Sequence, residues 1–210
     1  MTARRKCFFG TAAVLLIFVA ALLGALAYNV VGFVRCFRAA ELADAGMYQS
    51  MRIVVYGSSL SAEGETVSAN LSILDTAGNE CAVIERSWNG TSLAVDFVRA
   101  EFSGKWFFFP LAVRAAGGAA SGRRLSHAAS GSFLAHYYLE DGQCRLLGSG
   151  SSAAERKALF QLADFVLSPL SLAFRLGYAS RCSVSLAQCG SGTYYGIFIG
   201  DGGWLELREQ

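Results

Sequence analysis

The chain reads as α+β: an N-terminal transmembrane helix, then a mainly antiparallel β domain with a meander of about five strands plus C-terminal strands, and one amphipathic helix packed on it. Three observations predict this. Residues 8–27 are apolar and uncharged. From residue 51 onward, apolar and polar residues alternate with a period of two between turn signals. One later stretch, residues 152–169, has helical periodicity behind a capping signature.

The apolar stretch contains eleven Leu, Ile, Val or Phe residues. Phe8, Leu15, Ile17, Leu22 and Leu26 mark its length. At roughly −0.3 to −0.6 kcal/mol each, these residues favour insertion by about 3 to 7 kcal/mol. The uncharged run extends over residues 7–34, about 42 Å as helix. That exceeds the ~30 Å hydrocarbon core and implies tilt or a helix continuing outward, with Tyr28 and Asn29 near the far interface. Arg4, Arg5 and Lys6 would hold the amino terminus inside, so that the domain lies outside the cytoplasm, a long domain being translocated largely regardless of Arg35 and Arg38. The expected location is the cytoplasmic membrane, single-pass. A rival reading is a signal peptide cleaved after Ala27, since Ala25-Leu26-Ala27 has the small-x-small pattern; the length of the apolar core and the return of hydrophobicity at Val30, Val31, Phe33 and Val34 favour an uncleaved anchor.

Five of the 18 Lys and Arg residues flank this stretch, leaving 13 against 16 Asp and Glu in the remainder. A mildly acidic domain without a cationic stripe argues against nucleic acid as a partner. The domain divides as residues 1–34 (tail and anchor), 35–50 (juxtamembrane helix or linker) and 51–210 (the β-rich domain), with a flexible Ala/Gly/Ser loop at 115–132 that has little to bury. Residues 34–45 have near-helical apolar spacing and read mainly as a spacer.

Strands are expected at 51–56, 67–73, 80–88, 92–102 and 105–113. Turns fall at 75–79, at Asn89-Gly90 (the pair favoured in type I′ hairpins) and at Ser103-Gly104. Trp106, Phe107, Phe108 and Phe109 predict a strand covered on both faces. Residues 133–139 and 144–147 flank a further hairpin at 140–143. Ser152 and Glu155 form a capping box for a helix whose apolar face is Leu159, Leu162, Ala163 and Val166, ended by Pro169. Strands at 183–187, 193–199 and 204–208 complete the chain.

Candidate chemistry is sparse. Residues 148–153 match G-x-G-x-x-A between a strand and a helix, but the neighbouring hairpins are not the parallel βαβ unit that a dinucleotide fingerprint requires, so no nucleotide is expected. His127 and His136, near Ser126, Ser130 and Ser132, are the available imidazoles for a serine hydrolase, with no G-x-S-x-G elbow. Glu63/Glu65 and Glu140/Asp141 fall at turns, where solvation accounts for them. Cys81, Cys144, Cys182 and Cys189 lie beyond the span, where an oxidising compartment would permit disulfides in three alternative pairings; the competing reading is buried free cysteine. Their spacing does not match a zinc knuckle, and no metal or other cofactor is expected. Asn70-Leu71-Ser72 and Asn89-Gly90-Thr91 match the glycosylation pattern, in a strand and a tight turn.

Location and absent chemistry together point to a non-enzymatic binding or assembly module of the cell envelope, whose partners are the lipid bilayer and other envelope proteins. The alternative is a lipid or apolar-ligand handling domain with a cavity lined by Phe107, Phe109 and Phe198, and the third an envelope hydrolase.

Overall fold

A computed structural model describes residues 3–43, 46–61, 64–116, 131–200 and 202–210. The first element, α1 (Ala3–Leu42), is a single unbroken helix, long and apolar enough to cross a membrane. Leu15, Ile17, Leu22 and Leu26 are all more than half exposed along it. The side chains of Arg4, Arg5, Lys6 and Phe8 lie outside the described part of α1.

Among the described residues eleven strands follow, paired antiparallel apart from one isolated parallel bridge: β1 (Tyr48–Ser61), β2 (Gly64–Leu74), β3 (Glu80–Asn89), β4 (Ser92–Phe102), β5 (Lys105–Ala116), β6 (Gly131–Phe133), β7 (Leu139–Glu140), β8 (Gln143–Cys144), β9 (Ala179–Ser185), β10 (Tyr194–Ile199) and β11 (Leu205–Glu209). The second helix, α2 (Ala153–Leu167), lies between β8 and β9. The larger sheet has the order β11-β10-β1-β2-β3 and the smaller β6-β5-β4-β9, with β7 and β8 as a separate pair. The expected meander strands are all present, but the chain changes sheets between the third and fourth. β3 pairs with β2, and β4 pairs with β5 and β9.

This change of sheet is why Asn89-Gly90 is not a type I′ hairpin. That turn needs positive φ at both central residues, whereas only Gly90 has it, and the Gly90 amide donates to the Glu65 carbonyl at 2.8 Å. Ser103 and Gly104 do adopt positive φ, 53° and 72°, and close β4 onto β5 with Phe102 opposite Lys105. The strands expected at 133–139 and 144–147 are largely 3₁₀ turns, at Ala135–Tyr137 and Arg145–Leu147, framing the two-residue strands β7 and β8. These stretches are apolar without alternation, so tight turns rather than a pleat bring Leu134, Tyr138, Leu146 and Leu147 inward together. The Tyr138 hydroxyl donates to the Pro110 carbonyl at 2.9 Å, satisfying the one polar atom that this fully buried ring carries.

Met51, Ile53, Leu71 and Ile73 of the larger sheet and Val95, Phe97, Phe107 and Phe109 of the smaller one belong to a single core. Leu146, Leu147 and, from α2, Leu159 lie beside the aromatic run of β5. Both α1 and α2 contact β4, and Phe102 packs against Phe33 and Phe37 of α1. Of the spacer expected at 34–45, the described residues 34–43 therefore contribute to the core: Cys36, Ala39, Ala40 and Ala43 are buried, and the Lys105 ammonium donates to the Ala43 carbonyl just past the end of α1 at 3.1 Å. A cation there complements the helix dipole, and α1 has no basic residue of its own in its last turn.

In the smaller sheet, Asp96 of β4 accepts hydrogen bonds from Arg114 of β5 and Ser183 of β9. Burial raises the carboxyl's proton affinity, but these bonds outweigh it and hold the pKa below the ordinary carboxylate value. A depressed folded pKa means that the pair stabilises the fold above the unfolded value near pH 4 and that this contribution disappears as the pH falls through the folded pKa. Asp96→Asn should accordingly cost about 1 kcal/mol at pH 7, with the gap from wild type closing as the pH falls through the carboxyl's lowered folded pKa, as read from denaturant midpoints across pH; the Arg114 side chain is half exposed, which keeps the figure small.

Candidate functional site

The transition in α1 from a lipid-type surface to a protein-type surface is abrupt. Described side chains from Ala13 to Tyr28 are exposed, whereas Asn29, Gly32, Cys36, Ala39, Ala40 and Ala43 are buried. That is one stripe at the i, i+3, i+4, i+7 spacing of a helix docked on a partner. Asn29 opens it. Its side-chain amide donates to the carbonyls of Ala25 (2.9 Å) and Leu170 (3.2 Å), and its Oδ1 accepts from the Leu172 amide at 2.7 Å. A buried carboxamide with both ends satisfied joins the helix to a segment 141 residues away.

One turn further on, Gly32 lies against Phe165 of α2. A Cβ added there would come within 2.1 Å of the Phe165 ring, so only glycine lets the two helices approach this closely. Phe165 in turn meets Tyr28 and Phe33, with ring centroids 5.8 and 5.2 Å apart. Tyr178 stacks on Phe102 at 5.5 Å, and Phe33 and Phe37 pack on Tyr178. Beside this contact, Gly24, Ala27, Tyr28, Val31 and Arg35 of α1 face Phe160, Gln161 and Asp164 of α2 across a groove of about 580 Å³. Its α1 wall starts on the exposed apolar span and ends at a charged residue.

A second depression, of about 630 Å³, is polar and open. It lies where the turn after β2 meets the segment after β8, and Asp75, Glu80, Glu140, Asp141, Arg145 and Arg156 border it. Structural bonds occupy most of these groups. Asp75 caps its own turn by accepting from the amides of Ala77 (2.9 Å) and Asn79 (2.8 Å), Glu80 pairs with Arg52, Glu140 with Arg145, and Arg156 donates to Gln143.

The G-x-G-x-x-A stretch leads into α2, but the capping box is closed: Ser152 Oγ accepts from the Glu155 amide and the Glu155 carboxylate accepts from the Ser152 amide. A side-chain carboxylate stands where a phosphate would sit. Among the proposed hydrolase residues, Ser126, His127 and Ser130 lie outside the described residues. The Ser132 hydroxyl accepts from Arg86 (3.0 Å) and Trp88 (3.3 Å), while the His136 ring packs on Tyr137; the structure does not join the two into a nucleophile and base. Among the described residues, the space beside Phe107 and Phe109 is too small for a ligand. The space they border measures about 10 Å³, at the lower limit for one water molecule, and Phe198 lies elsewhere, under the Arg208 guanidinium.

Cys81, Cys144, Cys182 and Cys189 are free thiols. Cys81 and Cys144 lie on facing segments, Cys81 Sγ reaching the Arg145 carbonyl at 3.4 Å, while Cys182 lies on β9 with its Sγ 3.9 Å from the Phe97 carbonyl. Burial pushes the Cys144 thiol up to about 12 and the Cys81 thiol up to about 11. Asn70 sits mid-strand in β2 between Val54 and Glu85, and Asn89 is exposed at the end of β3. No group of three or more metal-ligating side chains occurs among the described residues.

Comparison of the chain with protein-family models, with curated proteins and with solved structures returns no match. The residues that join α1 to the domain were not visible as a site in the sequence. Asn29 inside an apolar run was the available signal, since a carboxamide at that depth needs partners.

The junction and the buried thiols each lead to a measurement. Gly32→Leu and Asn29→Ala should each destabilise the folded domain by about 2 to 4 kcal/mol, the first by forcing Phe165 out of its packing and the second by stranding the Leu172 amide, as read from denaturant midpoints of the full chain in detergent. At pH 7 a soluble maleimide should leave Cys144 unmodified in the folded protein and modify it once urea unfolds the domain, as read by mass spectrometry.

Proposed function

We propose that the chain is a single-pass membrane protein whose β-rich domain acts outside the cytoplasm as a non-enzymatic binding or assembly module of the cell envelope. The observation that carries this reading is the continuity of α1, which passes without a break from an exposed apolar span into the core of the domain. A domain joined in this way is presented to its partners in a fixed pose and at a fixed height, as assembly at a membrane face requires. The Arg4-Arg5-Lys6 cluster supports an inside amino terminus. Cleavage after Ala27 would cut one turn before Gly32 and leave the docked half of α1 with the domain, so the fold is compatible with either fate; the uncleaved anchor remains the preferred reading.

The lipid-handling alternative draws support from the groove between α1 and α2, whose lining starts at Gly24 and Ala27 on the exposed span and includes Arg35, Gln161 and Asp164. Both readings make the bilayer a partner, and the first adds other envelope proteins.

Cross-linking in intact cells, followed by mass spectrometry of the full-length protein and its adducts, should recover a reproducible set of envelope proteins; recovery of lipid adducts alone would transfer the case to lipid handling. Protease added outside spheroplasts should digest the domain, and complete protection would reverse the orientation.

A further inference from the structure

The domain carries a patch of apolar side chains that it does not cover itself, next to the base of its own anchor. Between α2 and β9, residues 168–178 fold into consecutive turns. Leu170 is 72% exposed and Leu176 59%, with Phe174 and Tyr178 at 36% each. Ala173, among them, is fully buried, and its carbonyl accepts from the Tyr178 amide at 2.9 Å, while the Leu176 amide donates to Leu172. The segment is thus braced, with its small residue turned in and its large apolar ones left out. Isolated exposed leucines are ordinary on a protein surface, but a cluster within one braced segment marks a contact.

The height of the patch follows from Asn29, which binds the Leu170 carbonyl and the Leu172 amide and is the first buried residue beyond the span. Residues 8–28 rise about 32 Å as helix, close to the ~30 Å thickness of a bilayer's hydrocarbon core. The turns are therefore held where α1 leaves the hydrocarbon. Two cations accompany the apolar residues: Arg175 is exposed, and the Arg181 guanidinium lies over the Phe174 ring at 5.8 Å from its centroid.

We infer that residues 168–178 form a membrane-docking element, with Leu170, Phe174 and Leu176 immersed in the headgroup and acyl boundary of the bilayer that α1 crosses, and Arg175 and Arg181 at the level of the lipid phosphates. The inference rests on the membrane-spanning reading of α1. Lipid is favoured over a second copy of the chain by continuity with the span and by charge. An isologous contact across this patch would bring Arg175 and Arg181 toward their own counterparts, whereas phosphates complement them. Docking at this second point would hold the domain down on the bilayer.

The test uses the full-length protein in vesicles of phosphatidylcholine and phosphatidylglycerol, with a genetically encoded fluorescent residue in place of Leu176, of Leu22 in the span, or of Val83 on β3. Each is an exposed position, so the core is undisturbed. A nitroxide placed high on the lipid acyl chain should quench the probe at 176 at least about threefold more strongly than aqueous iodide does, as at 22, with the order reversed at 83. If the probe at 176 responds to iodide like that at 83 while the one at 22 responds to lipid, the docking element is wrong and the anchor stands. If the probe at 22 also responds to iodide, the membrane-spanning reading fails and takes the docking element with it. Shielding of 176 from both quenchers would mean that protein covers the patch, and would equally overturn the inference.

Discussion

The fold depends on the contact between α1 and the rest of the chain at Asn29, Gly32 and Phe33. A helix of this hydrophobicity needs no partner to be stable in lipid, where its backbone bonds are all internal. In the membrane-spanning reading its last four turns leave that environment, and they need a protein surface instead. They find one in Phe165, Phe102 and Tyr178, which come from α2, β4 and the turns before β9. Without α1, the aromatic cluster around Phe102 would face water, and Asn29's partners on residues 170 and 172 would lose their bonds. The anchor is thus also a part of the core.

That constraint accounts for the two-layer arrangement. A five-strand meander built as one sheet would leave the Phe107 to Phe109 run with a single covered face. Crossing between sheets after β3 puts β4 and β5 in a second sheet, which meets β3 of the larger sheet through β5 and both helices through β4. The Asp96 cluster ties β4, β5 and β9 together at one level of the smaller sheet, and Lys105, at the start of β5, closes the end of α1. The turn at Ser103 and Gly104 therefore both joins two strands and positions the residue that caps the anchor.

Features that rest on local chemistry were legible in the sequence. The Ser152–Glu155 capping box sets the start of α2, and the alternation in residues 67–73 sets β2, because propensity, periodicity and capping act within a few residues. Features set by distant partners were not. Asn89-Gly90 has the composition of a tight hairpin, yet which sheet a strand joins depends on all its neighbours, and β4 found β9, with Ala94 opposite Ser185 and Ala100 opposite Ala179. Residues 34–45 resembled a spacer because their small buried residues, Cys36, Ala39 and Ala40, carry little hydrophobic signal; they are small because the helix lies so close to the sheet. The apolar stretches at 133–139 and 144–147 have no periodicity to choose between strand and turn, and packing around Tyr138 decided it.

The central claim is that residues 29–43 form one structural unit with the β domain, with no flexible joint between anchor and domain. Hydrogen exchange on the full-length protein in lipid nanodiscs tests it directly, because exchange reports local opening amide by amide. The amides of residues 33–42 should exchange as slowly as those of β1 and β4 and should lose protection together with them as denaturant is raised. Rapid exchange of residues 33–42 while β1 and β4 stay protected would show a hinge between anchor and domain and contradict the account.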